Sequence, residues 1–126
     1  MNHITRRSFL KTSAAASALA VNFVPSRVFG ANDRVRIGIA GINGRGQSHM
    51  NAYLGMKKVE IAYLIDPDSR LYKSRGKRVA DKQDGKMPTC VQDIREALED
   101  ENLDAVSVAT CNHWHSLIGI WACQAG

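Results

Sequence analysis

The chain has 126 residues, 44% of them hydrophobic, and a formal net charge of +5, which fits one globular domain. The charge divides unevenly: Arg6, Arg7, Lys11 and Arg27 stand in the first thirty residues without an acid, whereas from Ala31 onward 13 basic residues face all 12 acidic ones, leaving +1. That remainder argues against the clustered basic face of a nucleic-acid or anionic-membrane binder, and no apolar run is long enough for stable membrane insertion.

The opening segment reads as an address. Thr5-Arg-Arg-Ser-Phe-Leu-Lys11 sets paired arginines before an apolar, alanine-rich stretch over 12–24, then Pro25 and the small residues Gly30 and Ala31. The apolar residues run continuously instead of recurring every three or four positions, which disfavours an amphipathic first helix. The segment resembles a complete twin-arginine export signal. It makes residues 1–30 a signal peptide cleaved near Gly30 or Ala31, the twin-arginine machinery a partner, and the periplasm or exterior of a bacterium the destination. Such substrates cross the membrane folded, so a cofactor can be captured inside the cell and no disulfide framework is needed. Cys90, Cys111 and Cys123 have neither metal-ligand nor redox spacing and read as buried thiols.

From residue 31 the pattern alternates between strand and helix. Residues 34–40 are β-rich and apolar, 44–56 form a helix, and 59–65 are a second apolar strand ending at Asp66-Pro-Asp68. Pro67 is placed in the first turn of the next helix, with Asp66 or Asp68 near the positive end of its dipole. Residues 68–81 are charged and solvent-facing, and 83–86 form a turn. Residues 87–91 are a short third strand, which Pro88 confines to the sheet edge. Val91, Ile94 and Leu98 share a helical face. Residues 104–110 are a fourth strand, small and apolar as a sheet covered on both faces requires, and 113–124 form a closing helix that Ala125-Gly126 stops. The alternation predicts an α/β fold with a doubly wound parallel sheet.

Three clusters carry chemistry. Val35-Arg-Ile-Gly-Ile-Ala-Gly-Ile-Asn-Gly-Arg-Gly46 runs from a strand into glycines. Gly41 would make the tight turn, Gly46 would let the helix pack closely, and helix N–H groups would face phosphates. Asn43 stands where a second glycine is usual; asparagine tolerates left-handed backbone angles, and Gly44 beside it restores freedom. Arg45 would add a charge-assisted phosphate contact. Asp66, 20 residues past Gly46, can accept ribose hydroxyls and repel a 2′-phosphate, favouring NAD over NADP, with Arg70 able to soften that preference; it also reads as a helix cap. Third, Ala109-Thr-Cys-Asn-His-Trp-His115 lies at the carboxyl end of the fourth strand. His113 and His115 diverge on a helix and lack a third ligand, so no metal site is expected. Trp114 reads as core or interface packing.

Together these segments resemble the N-terminal, Rossmann-like half of the glucose-fructose oxidoreductase, inositol dehydrogenase and rhizopine-catabolism (Gfo/Idh/MocA) family, over residues 34–126. The resemblance rests on the loop over 37–46 with His49, the Asp66 strand end, and Asp104-Ala-Val-Ser-Val-Ala-Thr-Cys-Asn-His-Trp-His-Ser116 running into Ala122-Cys-Gln-Ala-Gly126. Family members usually carry threonine-proline-x-x-x-histidine at the third site; Cys111 replaces the proline here, while Thr110 and His115 match. The resemblance implies NAD contacts at Gly41, Ile42, Asn43, Gly44, Arg45, Gly46, Asp66, Thr110, Asn112 and His115, the last on the nicotinamide side.

It also implies chemistry beyond these residues. A glutamate-lysine-proline segment and a second α/β domain would supply the acid-base groups, the sugar or polyol contacts and a homo-oligomer interface. The domain over 31–126 is therefore expected to be truncated, its sheet incomplete at the C-terminal end, and inactive alone. Roughly 95 mature residues are few for such a sheet. The leading reading is the NAD-binding half of an exported oxidoreductase transferring hydride to or from a sugar, polyol or related hydroxy compound. Two alternatives stand beside it: an NAD-dependent glycoside hydrolase of the same superfamily, and a non-catalytic nucleotide-binding or interaction module.

Overall fold

The computed structural model describes residues 34–126; the expected signal peptide, its cleavage region and residues 31–33 lie outside the described residues. The elements are β1 (Val35–Ala40), α1 (Gly46–Leu54), β2 (Val59–Ile65), a 3-10 turn (Ser69–Leu71) running into α2 (Tyr72–Ala80), β3 (Thr89–Val91), α3 (Ile94–Leu98), β4 (Ala105–Val108) and α4 (Asn112–Ala125). All strands are parallel, in the order β3-β2-β1-β4. The chain steps outward from β1 to β3 and then returns to the other side of β1, so the winding reverses between β1 and β4. Such a reversal opens a crevice beyond the strand ends.

Each face of the sheet has its own apolar layer, because helices cover both. Ile37, Ile39, Ile61 and Leu64 pack with Met50 of α1 and Val79 of α2, and Ile42 joins them from the loop after β1. On the other face Ala40 and Ile65 meet Ile94 and Ala97 of α3 and Ile118 of α4. Each fully buried aliphatic side chain contributes about 1.5–3 kcal/mol, so these layers fix the positions of the strand ends.

The phase of β2 depends on a bulge. Ile37 pairs with Ile61 but Gly38 pairs with Tyr63, leaving Ala62 as the extra residue. An extra residue reverses the side-chain alternation beyond it. Hence Ile61 and Leu64 share one face although they are three apart, and Tyr63 and Ile65 share the other. β3 pairs with β2 only from Tyr63 onward. Alongside Ile61 its place is taken by the Gln83 side chain: Ile61 N–H donates to Gln83 Oε1 at 2.7 Å, and Gln83 Nε2 donates to Ile61 O at 3.2 Å. Gln83 is only 8% exposed.

Toward the amino ends of the strands Arg36 faces Glu60 across the ladder and ion-pairs with Asp100 at 3.1 Å. Lys86 reaches Glu60 at 2.7 Å, and Tyr63 OH donates to Asp100 at 3.2 Å. Burial, reinforced by that bond to Asp100, raises the Tyr63 phenol above its ordinary value.

Several expectations are corrected. Pro67 precedes the helix, because Asp68 is the cap and accepts Arg70 N–H. Val91 ends β3 rather than opening a helix, with Asp93 capping α3. β4 is half-buried rather than fully covered, since β1 is its only strand neighbour in the described sheet. Cys111 and Cys123 are exposed and Cys90 is intermediate, so none of the three is a fully buried thiol; burial still pushes the Cys90 thiol up.

Gln83→Ala strands both backbone groups of Ile61. We expect a loss of about 2 kcal/mol in urea denaturation, from the cost of unsatisfied buried groups, and a melting point lower by about 10 °C at this chain size. A loss under about 0.5 kcal/mol would mean that water replaces the side chain.

Candidate functional site

A crevice of about 570 Å³ opens at the carboxyl ends of the strands. Its floor is the loop between β1 and α1, whose course is set by close packing. Gly41 has φ +83°, and a Cβ there would lie 2.8 Å from the Ala109 carbonyl and 2.9 Å from Thr110 N. At Gly46 a Cβ would stand 1.7 Å from the Gly41 oxygen. Both positions therefore exclude any side chain, and the loop is drawn tightly against the end of β4. Gly44 meets nothing within 4 Å. Asn43 has no left-handed backbone, the only positive φ outside glycine among the described residues being at Asp84; its side chain is sterically admitted without that special conformation.

Along this floor the N–H groups of Asn43, Gly44 and Arg45 donate to no backbone carbonyl among the described residues. Consecutive free amides opening a helix form an anion-binding concavity. Arg45 is exposed on the crevice wall. Among the described residues its guanidinium makes no ion pair.

Asp66 closes one end of the crevice and is 8% exposed. One carboxylate oxygen accepts Ile42 N–H at 2.9 Å and the other accepts Asp68 N–H at 2.9 Å. Each oxygen keeps a second acceptor site that a ribose hydroxyl can use. The Asp66 backbone N–H donates to Val91 O at 3.1 Å, so the loops after β1 and β2 and the end of β3 converge on one residue.

The opposite wall comes from α3 and α4. Trp114, Ile118 and Trp121 present apolar surface, and Thr110 and Cys111 edge the mouth. Trp114 is 45% exposed, so of the two packing roles expected for it, core or interface, the core role is corrected. Arg95 lies over the Trp121 ring with 5.2 Å between guanidinium carbon and ring centroid. Asp93 accepts from Arg95 Nε at 3.0 Å as well as from Nη2, and that guanidinium holds the Asp93 carboxyl at about 2, below its ordinary 3.8. The pair is thus fully charged at neutral pH.

The sequence-predicted site residues separate into two groups. Gly41, Asn43, Gly44, Arg45, Asp66 and Thr110 line the crevice. Ile42 places its N–H against Asp66 but buries its side chain in the core, and Gly46 acts through packing. Arg70 is turned onto Asp68, with Nε 2.7 Å from the carboxylate. His115 and Asn112 are exposed residues of the first turn of α4, off the crevice wall. His115 Nε2 bonds the Thr110 carbonyl at 3.0 Å; since a carbonyl only accepts, Nε2 carries the hydrogen. Sequence reading missed Gln92, Arg95 and Trp121 as crevice residues. Their one signal was position, shortly past a strand or between two and three turns into the closing helix.

A model of an oxidoreductase family, NAD-binding Rossmann fold (GFO_IDH_MocA), matches residues 35–126, and a twin-arginine translocation pathway signal-sequence model matches residues 3–21. The chain therefore belongs to the Gfo/Idh/MocA oxidoreductase family and carries its NAD-binding domain. Among curated proteins it is similar to a glycosyl hydrolase family 109 protein of Saccharopolyspora erythraea, 26% identical over 147 residues, covering 99% of this chain and 32% of that protein. A protein of the same description from Shewanella sp. is 26% identical over 150 residues, covering 100% and 32%. The chain thus spans about a third of the length of these relatives. Among solved structures, scyllo-inositol dehydrogenase from Lactobacillus casei with bound NAD(H) and scyllo-inositol superposes with a TM-score of 0.64 at 17% identity, over 74% of this chain and 26% of that one. An NAD binding oxidoreductase from Klebsiella pneumoniae gives a TM-score of 0.55 at 28% identity, over 75% and 26%. The fold is the Rossmann-like α/β fold of these dehydrogenases.

The glycine geometry predicts unequal effects. Gly46→Ala must displace the Gly41 carbonyl and should cost roughly 4 kcal/mol or prevent folding. Gly44→Ala meets open space at ordinary φ and should leave stability unchanged or raise it by up to about 1 kcal/mol. Urea denaturation of the two variants side by side checks this, and equal losses would refute the packing role of Gly46.

Proposed function

We propose that this chain is the cofactor-binding part of an exported, NAD-preferring oxidoreductase acting on the CH–OH group of a sugar, polyol or related hydroxy compound. Residues 1–30 serve as the signal peptide and 31–126 as the mature nucleotide-binding domain, acting in the periplasm or outside a bacterial cell. One observation carries the reading: free loop amides over 43–45 and an acceptor carboxylate, Asp66, face one crevice at the winding reversal. That pairing suits a pyrophosphate at one point and a ribose diol at the other.

In this reading Gly41, Asn43, Gly44, Arg45 and Gly46 seat the pyrophosphate, and Asp66 receives the ribose hydroxyls. Thr110, Asn112 and His115 lie toward the nicotinamide side. Bound nicotinamide supplies the hydride chemistry, while these residues bind and orient it; catalysis is assigned to none of residues 34–126. Substrate contacts and a homo-oligomer interface belong to the whole protein.

Both tryptophans of the chain line the crevice, so their fluorescence reports occupancy. Titration with NAD should quench it saturably, and Asp66→Ala should weaken NAD at least tenfold, about 1.4 kcal/mol. Unchanged affinity in a variant that still melts cooperatively would remove the ribose role of Asp66.

The family 109 glycosyl hydrolase relatives favour a second reading, in which bound NAD oxidises a glycoside transiently and is regenerated. The whole protein, given a polyol and NAD, should accumulate NADH absorbance at 340 nm in proportion to product, a wavelength set by the cofactor. Release of aglycone from an aryl glycoside without net NADH would replace the dehydrogenase reading by the hydrolase one.

A further inference from the structure

The residues directly after β2 form a charged latch beside the ribose end of the crevice. Asp66 accepts the N–H of Asp68 at 2.9 Å, which sets the Asp68 backbone against the carboxylate that faces the crevice. Asp68 in turn accepts from Arg70 three times: backbone N–H at 3.1 Å, Nε at 2.7 Å and Nη2 at 2.8 Å. The last two make a bidentate fork between partners two residues apart, a geometry that fills the face of the guanidinium best suited to phosphate. Arg70 has 88% of its side-chain surface exposed, so sterics leave it free to swing and the fork is what holds it.

We propose that Asp68 is a specificity-determining residue that keeps Arg70 from serving as a 2′-phosphate ligand, so that the site selects a dinucleotide with a free 2′-hydroxyl. The inference rests on the reading that NAD occupies the crevice with its adenosine ribose at Asp66. Its physical basis is local charge. Asp66 and Asp68 contribute two negative charges and Arg70 one positive charge already forked to Asp68, so a dianionic substituent on the ribose meets net repulsion and no open fork. Removing the charge of Asp68 changes both terms at once: the repulsion falls, and the guanidinium becomes available.

The test uses the full chain, with tryptophan fluorescence quenching as the readout for NAD and NADP. Asp68→Asn keeps a capping side chain of comparable strength and should raise the affinity for NADP relative to NAD about tenfold. Asp68→Asn combined with Arg70→Gln should return most of that gain, because the freed guanidinium is its source. Should Asp68→Asn fail to melt cooperatively, Asp68→Ser, which retains the cap without the charge or the fork, carries the same expectation. NAD binding with an unchanged preference in the single variant overturns the inference alone, as does a gain that survives in the double variant, which would assign it to lost repulsion. Failure of the unaltered chain to bind NAD overturns the function proposed above and this inference with it.

Discussion

The Asp66 carboxylate is the joint on which the crevice depends. It receives Ile42 N–H from the loop after β1 and Asp68 N–H from the loop after β2, and its own backbone N–H is bonded to the end of β3. The Ile42 amide is buried and would otherwise lack an acceptor, a cost of about 1–3 kcal/mol. An anionic acceptor roughly doubles the strength of such a bond. The course of the phosphate-facing loop is thus set by a residue that does not belong to it, and the acidic residue and the glycines form one mechanical unit.

The charges around that unit are arranged in self-contained pairs. Asp68 takes the guanidinium of Arg70, and Asp93 takes that of Arg95, in both cases an aspartate that caps the following helix and an arginine two residues on. Each pair is therefore close to neutral, so Asp66 leaves a negative charge at its end of the crevice, while Arg45 and the free amides leave positive potential at the loop. An anionic ligand is drawn to one point of the crevice rather than to its whole rim.

Much of this was legible in the residues. The glycine loop announces itself because Gly41 and Gly46 meet steric demands that no other residue satisfies, and the strands are apolar runs bounded by polar turns. What stayed hidden has physical reasons. Val59-Glu-Ile-Ala-Tyr-Leu-Ile65 is apolar at every position but one, so no alternation marks the bulge at Ala62. Gln83 is a polar residue in a polar turn, and only the fold reveals that its amide stands in for a strand. Arg70 can soften the NAD preference only with an open guanidinium, whereas the aspartate two residues before it is a nearer partner. A large aromatic in an apolar helix suits either core or interface packing, and only the fold shows that the side of α4 carrying Trp114 faces the crevice.

Gln83 has a consequence for the protein in a crowded solution. An exposed β-strand flank is a template for another chain, and the hazard scales with the row of unpaired N–H and C=O groups it offers. β3 covers the outer flank of β2 for only three residues, and below it Gln83 occupies both groups of Ile61. A single amide side chain thus shields the part of the central sheet that its shortest strand leaves bare, and a foreign strand approaching there would first have to evict it.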